Sequence, residues 1–207
     1  MSFLNLENFR ATPLTRDPFD FLIVPGFLRG EAREALNKDF PDIAKPGSYP
    51  VSEVSFGPNF EALLAEIQDP EFQAAVEEKF GVDLTGRPTM VTVRGRCQQK
   101  DGRIHTDTET KIITVLIYMN QGWENETGRL RLLRSADDLS DMVTEVPPEW
   151  GTLLAFRRSD NSYHGHKPFV GERRAIQLNW VTEASVVEHE LSRHRVSARL
   201  KKLNPFA

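Results

Sequence analysis

A single cysteine, Cys97, stands among the 207 residues. A lone thiol cannot close an internal disulfide, so the fold has to rest on packing, and the chain suits a reducing compartment. No apolar run approaches the roughly 20 residues that span a bilayer, and Met1 to Arg10 lack the basic stretch followed by an apolar one that marks a secretory signal. These absences predict a soluble, cytoplasmic protein with no membrane partner. A large charge of either sign is missing too. The formal net charge of -4 gives no general attraction to nucleic acid, and none is expected as a partner. Internal repeats, low-complexity tracts and linker-like stretches are absent, which predicts one domain over residues 1–207. What is present, 39% hydrophobic and 27% charged residues, is enough for one substantial core.

The local patterns predict helices early and strands late. Phe19 to Val24 reads as a strand closed by Pro25-Gly26, and Glu31 to Phe40 as a helix that stops before Pro41. Pro46 to Pro50 is too rich in breakers to continue it and is expected as a loop at a site entrance. Asn59 to Ile67 has helical spacing, and Asp69-Pro70-Glu71 supplies an N-cap and a first-turn proline for another helix ended by Gly81. From Met90 to Cys97 apolar and polar residues alternate as in a strand. Ile112 to Met119 is apolar on both faces, as a strand between two packed layers should be. Leu130 to Leu133 and Thr152 to Phe156 read as further strands, and Ser135 to Asp141 as an acidic surface loop or lid. Ala184 to Leu203 reads as a helix with Val187, Leu191, His194, Ala198 and Leu203 on one face, a surface for the core or for a homodimer.

The chemistry concentrates in two short stretches. In His105-Thr106-Asp107 an imidazole and a carboxylate stand two residues apart, so on an extended segment they point to the same side and can grip one metal ion. A pair of this kind is common by chance, and residues further along the chain give it weight. Asn161 to Phe169 supplies a third ligand in His164, with His166 as an alternative on the same side of the segment. Gly171 to Leu178 then brings Arg173 and Arg174 into a strand-like run. Two histidines and a carboxylate with open coordination positions suit a non-haem Fe(II) oxygenase.

In order, the chain carries His105 and Asp107; Ile112 to Asn120 ending Tyr-Met-Asn; Gly128 to Leu132 reading G-R-L-R-L; Gly151 to Phe156 reading G-T-L-L-A-F; then His164, Pro168 and Gly171-Glu172-Arg173. In these pieces, over about residues 90 to 182, it resembles the 2-oxoglutarate and Fe(II)-dependent dioxygenases of the prolyl-4-hydroxylase-like branch. The resemblance implies an α+β protein centred on a double-stranded β-helix, a cupin-like jelly roll. In it residues 1–89 form a helical support, 90–182 the catalytic barrel and 184–203 a C-terminal helix. It implies Fe(II) held by His105, Asp107 and His164, since the intervals to Pro168 and Gly171 fit from His164. The co-substrates would be 2-oxoglutarate and O2, the products succinate and CO2, and the reaction hydroxylation of a peptidyl proline, another amino-acid side chain or a small metabolite. Halogenase relatives replace the carboxylate by a small residue, so Asp107 points to hydroxylation. Tyr118 falls where the family hydrogen-bonds the far carboxylate of 2-oxoglutarate, though a tyrosine packed in the core reads the same way. Lys111 and Thr114 are lesser candidates.

An arginine fork suits that carboxylate because it can make two parallel charge-assisted hydrogen bonds. Adjacent strand residues face opposite sides, so only one of the two arginines can enter the barrel. Arg174 shares its face with Ile176, Leu178 and Trp180, whereas Arg173 shares its face with Ala175, Gln177 and Asn179, a small and polar set. The family phrase G-x-R also lands on Arg173, while some relatives place the basic residue one position further, which keeps Arg174 a candidate. Two other classes use such a barrel: a cupin-like binding or sensing protein, and a metal-dependent isomerase or hydrolase with the ion as Lewis acid. A metal barrel alone gives no reason for an arginine after the distal histidine.

Overall fold

The computed structural model describes the backbone of residues 2–203 and every side chain among them except those of residues 193–195 and 197–203. Its first part is a layer of short helices. Helix α1 (Leu6–Ala11), which the pattern did not predict, starts at Asn5, whose side chain accepts the Asn8 N–H at 3.1 Å. Strand β1 (Phe21–Val24) follows, then a 3-10 turn (Gly30–Ala32) and α2 (Arg33–Asp39). Residues 48–50, expected as loop, form β2 (Ser48–Pro50). The strand lies at a sheet edge, where a proline need not donate to a ladder. Helices α3 (Pro58–Glu66) and α4 (Pro70–Phe80) each begin with proline, whose missing N–H costs nothing in a first turn. The Asp69 side chain caps α4 by accepting the Glu71 N–H at 2.8 Å, and Gly81, at φ 62°, ends it in the left-handed conformation.

Seven strands and a helix complete the chain: β3 (Thr89–Cys97), β4 (Lys111–Tyr118), β5 (Leu130–Leu133), β6 (Met142–Val146), β7 (Leu153–Arg157), β8 (His164–Gly165), β9 (Gly171–Val181) and α5 (Ala184–Leu203). They form a six-stranded antiparallel sheet in the order β1-β7-β4-β9-β3-β2 and a three-stranded one in the order β6-β5-β8. His105 adds to the smaller sheet by pairing with His164 of β8. From β3 onward the chain passes back and forth between the two sheets, which is a double-stranded β-helix. The acidic residues 135–141 are the connection of the β5–β6 hairpin, tied down by the Arg131 guanidinium donating to the Leu139 carbonyl at 3.0 Å.

Burial on both faces explains the apolar strands. Val91, Val93, Ile113, Val115, Ile117, Ile176, Leu178 and Trp180 face outward and pack with Leu36, Phe60, Phe72 and Val76 of the helices. Tyr118, Leu154, Phe156 and Ala175 face inward and pack with Leu130, Leu132 and Val146 of the smaller sheet. The helices are therefore a buttress on one side of the large sheet, and the other side is left for a site. Helix α5 lies against β2, β3 and β9, with Val186, Val187, Glu190 and Leu191 half-buried. The rest of its apolar stripe, His194, Ala198 and Leu203, lies outside the described side chains. Among the described residues no helix is long and apolar enough to cross a membrane.

Candidate active site

His105 and His164 meet because they are direct cross-strand partners. The His105 N–H donates to the His164 carbonyl at 3.0 Å and the His164 N–H to the His105 carbonyl at 2.9 Å. Residues opposite one another in an antiparallel pair project to the same side, and the two rings lie 4.3 Å apart between centroids. Asp107, two residues beyond His105, points the same way. The three residues each offer a ligand atom, all within 4.8 Å of one another. No third histidine joins them among the described residues: His166 is buried nearby, but its backbone N–H pairs with the Gly102 carbonyl at 2.9 Å, three residues before His105.

The ring tautomers are set by the backbone. Nδ1 of His105 lies 2.9 Å from the Arg103 carbonyl and Nδ1 of His164 lies 2.9 Å from the Ser162 carbonyl. A carbonyl oxygen only accepts, so each Nδ1 carries the proton and each Nε2 presents a lone pair, the form in which imidazole binds a metal. Burial pushes the His164 pKa down to about 4, against the pull of Asp107, so the ring is neutral at physiological pH. For Asp107 burial works against the charged form. Lys111 and His164, with hydrogen bonds from Lys111 and Thr114, outweigh it and hold the carboxyl below its ordinary value. Two imidazoles with Nδ1 held by carbonyls and Nε2 turned inward, beside a carboxylate, are a donor set Fe(II) accepts.

Each Asp107 oxygen is also held in place. Lys111 Nζ donates to Oδ1 at 2.8 Å, and Thr114 Oγ1 donates to Oδ2 at 2.5 Å. Behind them runs a directional chain: Gln177 Nε2 donates to Asn179 Oδ1 at 3.0 Å, and Asn179 Nδ2 donates to Thr114 Oγ1 at 2.7 Å. These residues come from the inward faces of β4 and β9, and their polarity is the only sequence signal for the network.

The trio opens on a cavity of about 370 Å³ between the two sheets. Arg173 and Arg174 part at its wall. Arg173 is buried and lines the cavity; its Nε donates to the Gly128 carbonyl at 2.8 Å, and its Nη2 stands 3.4 Å from the Tyr118 hydroxyl. Tyr118 is fully buried beneath it, and burial, opposed by Arg173, raises the phenol's pKa. Arg174 faces the helices, donating to Asn37 Oδ1 of α2 at 2.6 Å and stacking over the Phe40 ring. His166 faces the cavity from β8's end, and burial together with Arg173 lowers its pKa to about 4. Among the lining residues that went unread in the sequence as parts of a site are Arg94 and Asp101, while Ser48 falls in the 46–50 stretch expected at a site entrance. The alternation in β3 put Arg94 on the face opposite Val91 and Val93, but nothing local said which face was inside. Residues 135–141 contribute nothing to the lining.

Comparison with known proteins agrees with this architecture. Residues 94–182 match the 2OG-Fe(II) oxygenase superfamily. No curated protein matches the chain. A prolyl-4-hydroxylase from Pseudomonas putida superposes with a TM-score of 0.54 at 16% identity, covering 86% of this chain and 97% of that one. A prolyl 4-hydroxylase from Phytophthora capsici gives 0.55 at 20% identity over 90% and 68% of the two chains. HygX from Streptomyces hygroscopicus, solved with nickel and 2-oxoglutarate bound, gives 0.54 at 14% identity over 79% and 83%. At these identities the structures speak for the fold, and the family match for the catalytic segment. With its double-stranded β-helix and its cluster of two histidines and one aspartate, the chain has a prolyl-4-hydroxylase-like fold, and over residues 94–182 it is similar to the 2-oxoglutarate and Fe(II)-dependent oxygenases.

Proposed function

We propose that His105, Asp107 and His164 are the Fe(II) ligands of a hydroxylase and that Arg173, with Tyr118, receives the far carboxylate of 2-oxoglutarate. The observation that carries the reading is the placing of the three ligand atoms and the Arg173 guanidinium in one cavity. When bound, Fe(II) with 2-oxoglutarate and O2 supplies the oxidising chemistry, releasing succinate and CO2 and hydroxylating a substrate C–H bond. The chain's own residues do the rest. The Arg103 and Ser162 carbonyls keep both Nε2 lone pairs turned to the ion. Lys111 and Thr114 keep Asp107 ionised and fixed, and their two hydrogen bonds leave the carboxylate further lone pairs for a metal. Arg173, braced by Gly128 and Tyr118, fixes the direction of the keto acid before it reaches the metal.

The same reading treats residues 1–207 as one oxygenase domain, with 1–89 as buttress. It places the enzyme in the cytoplasm, acting on a small-molecule or peptidyl substrate, and makes α5 the surface for pairing with a second copy. A prolyl hydroxylase from Trichoplax adhaerens, solved with a hypoxia inducible factor peptide fragment, covers 89% of its own length against this chain at 17% identity, so a peptide is one class to test. Anaerobic addition of Fe(II) and 2-oxoglutarate should produce a weak visible charge-transfer band. His164→Ala should abolish the band and most iron binding while His166→Ala keeps both. The reverse result would move the third ligand to His166.

A further inference from the structure

Two arginines stand side by side on the floor of the cavity and lean opposite ways. Tyr118 of β4, Ala175 of β9 and Arg94 of β3 form one row across the sheet, and Arg173 follows Ala175 on the same face. From there the Arg173 guanidinium reaches toward β4, over the Tyr118 ring, whereas the Arg94 guanidinium reaches toward β2. Arg94 has its own anchors. Its Nη1 donates to Asp101 Oδ2 at 2.9 Å and lies 3.7 Å from Cys97 Sγ, and its Nη2 donates to Ser48 Oγ at 3.2 Å. Asp101 is itself fixed by the Gln98 N–H at 3.0 Å.

These bonds use three of the five guanidinium N–H groups. Nε–H and one Nη2–H meet no acceptor among the described residues, although the side chain is 27% exposed and lines the cavity. A fork whose orientation is already fixed loses little further freedom on binding. An oxyanion, with two acceptor atoms held in a plane, matches such an edge better than any neutral group. On the β2 side α5 packs against the strand, and its Glu190 lines the cavity. A helix packed beside the subsite leaves a compact guest easier to seat there than a polypeptide crossing the mouth.

We propose that Arg94, held by Asp101 and Ser48, forms a second oxyanion subsite beside the one Arg173 provides, and that the primary substrate is a small molecule docking there through a carboxylate or phosphate. The inference rests on reading Arg173 as the anchor of 2-oxoglutarate. It is tested on the full-length protein loaded anaerobically with Fe(II) and saturating 2-oxoglutarate. Malonate, inorganic phosphate and an end-blocked prolyl peptide are each titrated calorimetrically. Malonate binding marks a carboxylate site and phosphate binding a phosphate site. Arg94→Gln should weaken the oxyanion at least tenfold, with Arg94→Lys, which keeps the charge without the fork, falling between. The affinity of Arg94→Gln for 2-oxoglutarate should stay within twofold of wild type, which also shows that the variant is folded. The proposal is overturned if neither oxyanion binds, if the peptide alone binds, or if Arg94→Gln leaves oxyanion binding unchanged. It is equally overturned if Arg94→Gln weakens 2-oxoglutarate as Arg173→Gln does, because Arg94 then belongs to the co-substrate's site. Failure of the wild type to bind 2-oxoglutarate would bring down the underlying site assignment, and this one with it.

Discussion

At the scale of single residues, adjacent arginines with opposite surroundings give the sharpest test. Arg173 is buried against Tyr118 and Gly128 in the cavity, while Arg174 is spent on Asn37 and Glu172 outside it. Loss of a charge-assisted hydrogen-bonded pair costs about 1.5–3 kcal/mol, which is about tenfold or more in a binding constant. Arg173→Gln should therefore raise the apparent 2-oxoglutarate constant at least about tenfold, with Arg174→Gln near wild type, in a titration of succinate release. Thr114 gives a second test at this scale. Its hydroxyl donates to Asp107 and accepts from Asn179, and Thr114→Val leaves both without that partner while nearly preserving shape. Partners of metal ligands typically contribute about 10–100-fold in metal affinity, so iron binding measured by chelator competition should weaken by that order. An unchanged affinity would mean that Lys111 alone holds the carboxylate.

At the scale of elements, the site depends on where one turn and one two-residue strand touch. Gly102 has φ 92°, and a Cβ there would lie 2.3 Å from the His166 carbonyl oxygen and 2.5 Å from its Nδ1. Gly102→Ala would strain the backbone and push the 98–103 turn off β8, which carries His164. Gly81 makes the contrast: its φ is 62°, but a Cβ there meets nothing within 4 Å. Gly81→Ala should lower stability by about 1 kcal/mol, from backbone strain alone, and leave iron affinity untouched. Gly102→Ala should lower stability further and take iron affinity with it. Thermal unfolding and metal content, measured on both variants, separate the two effects. Equal iron content in both would show that the turn does not position β8.

At the scale of the whole molecule, the metal-site residues and the larger of the two hydrophobic clusters lie on opposite faces of the large sheet. The extensive cluster that joins the helices to β3, β4, β7 and β9 includes none of the three metal-site residues. Removing iron with a chelator should leave far-ultraviolet circular dichroism unchanged. It should cost only the mass-action stabilisation a ligand confers, about 2.7 kcal/mol at a hundredfold excess over Kd. Collapse of the secondary structure on chelation would show that the metal holds the barrel together.

The division between what sequence determined and what only tertiary structure decided depends on the range of the forces involved. Period-two alternation is local, and it already set Arg173 and Arg174 on opposite faces of β9 and His105 and Asp107 on one side of their segment. Capping is local as well, so Asp69, Pro70 and Gly81 marked α4 at both ends. The same parity could not choose between His164 and His166, which share a side. What distinguishes them is pairing across strands, His164 with His105 and His166 with Gly102, and such pairing is set by distant hydrogen bonds and burial. The proline-flanked β2 was illegible for the same reason, since an edge strand of three residues takes its conformation from β3 beside it. Arg94 looked like any polar residue of an alternating strand. Only the closing of two sheets made its face an interior, and only β2 and the 98–103 turn gave its guanidinium a fixed direction.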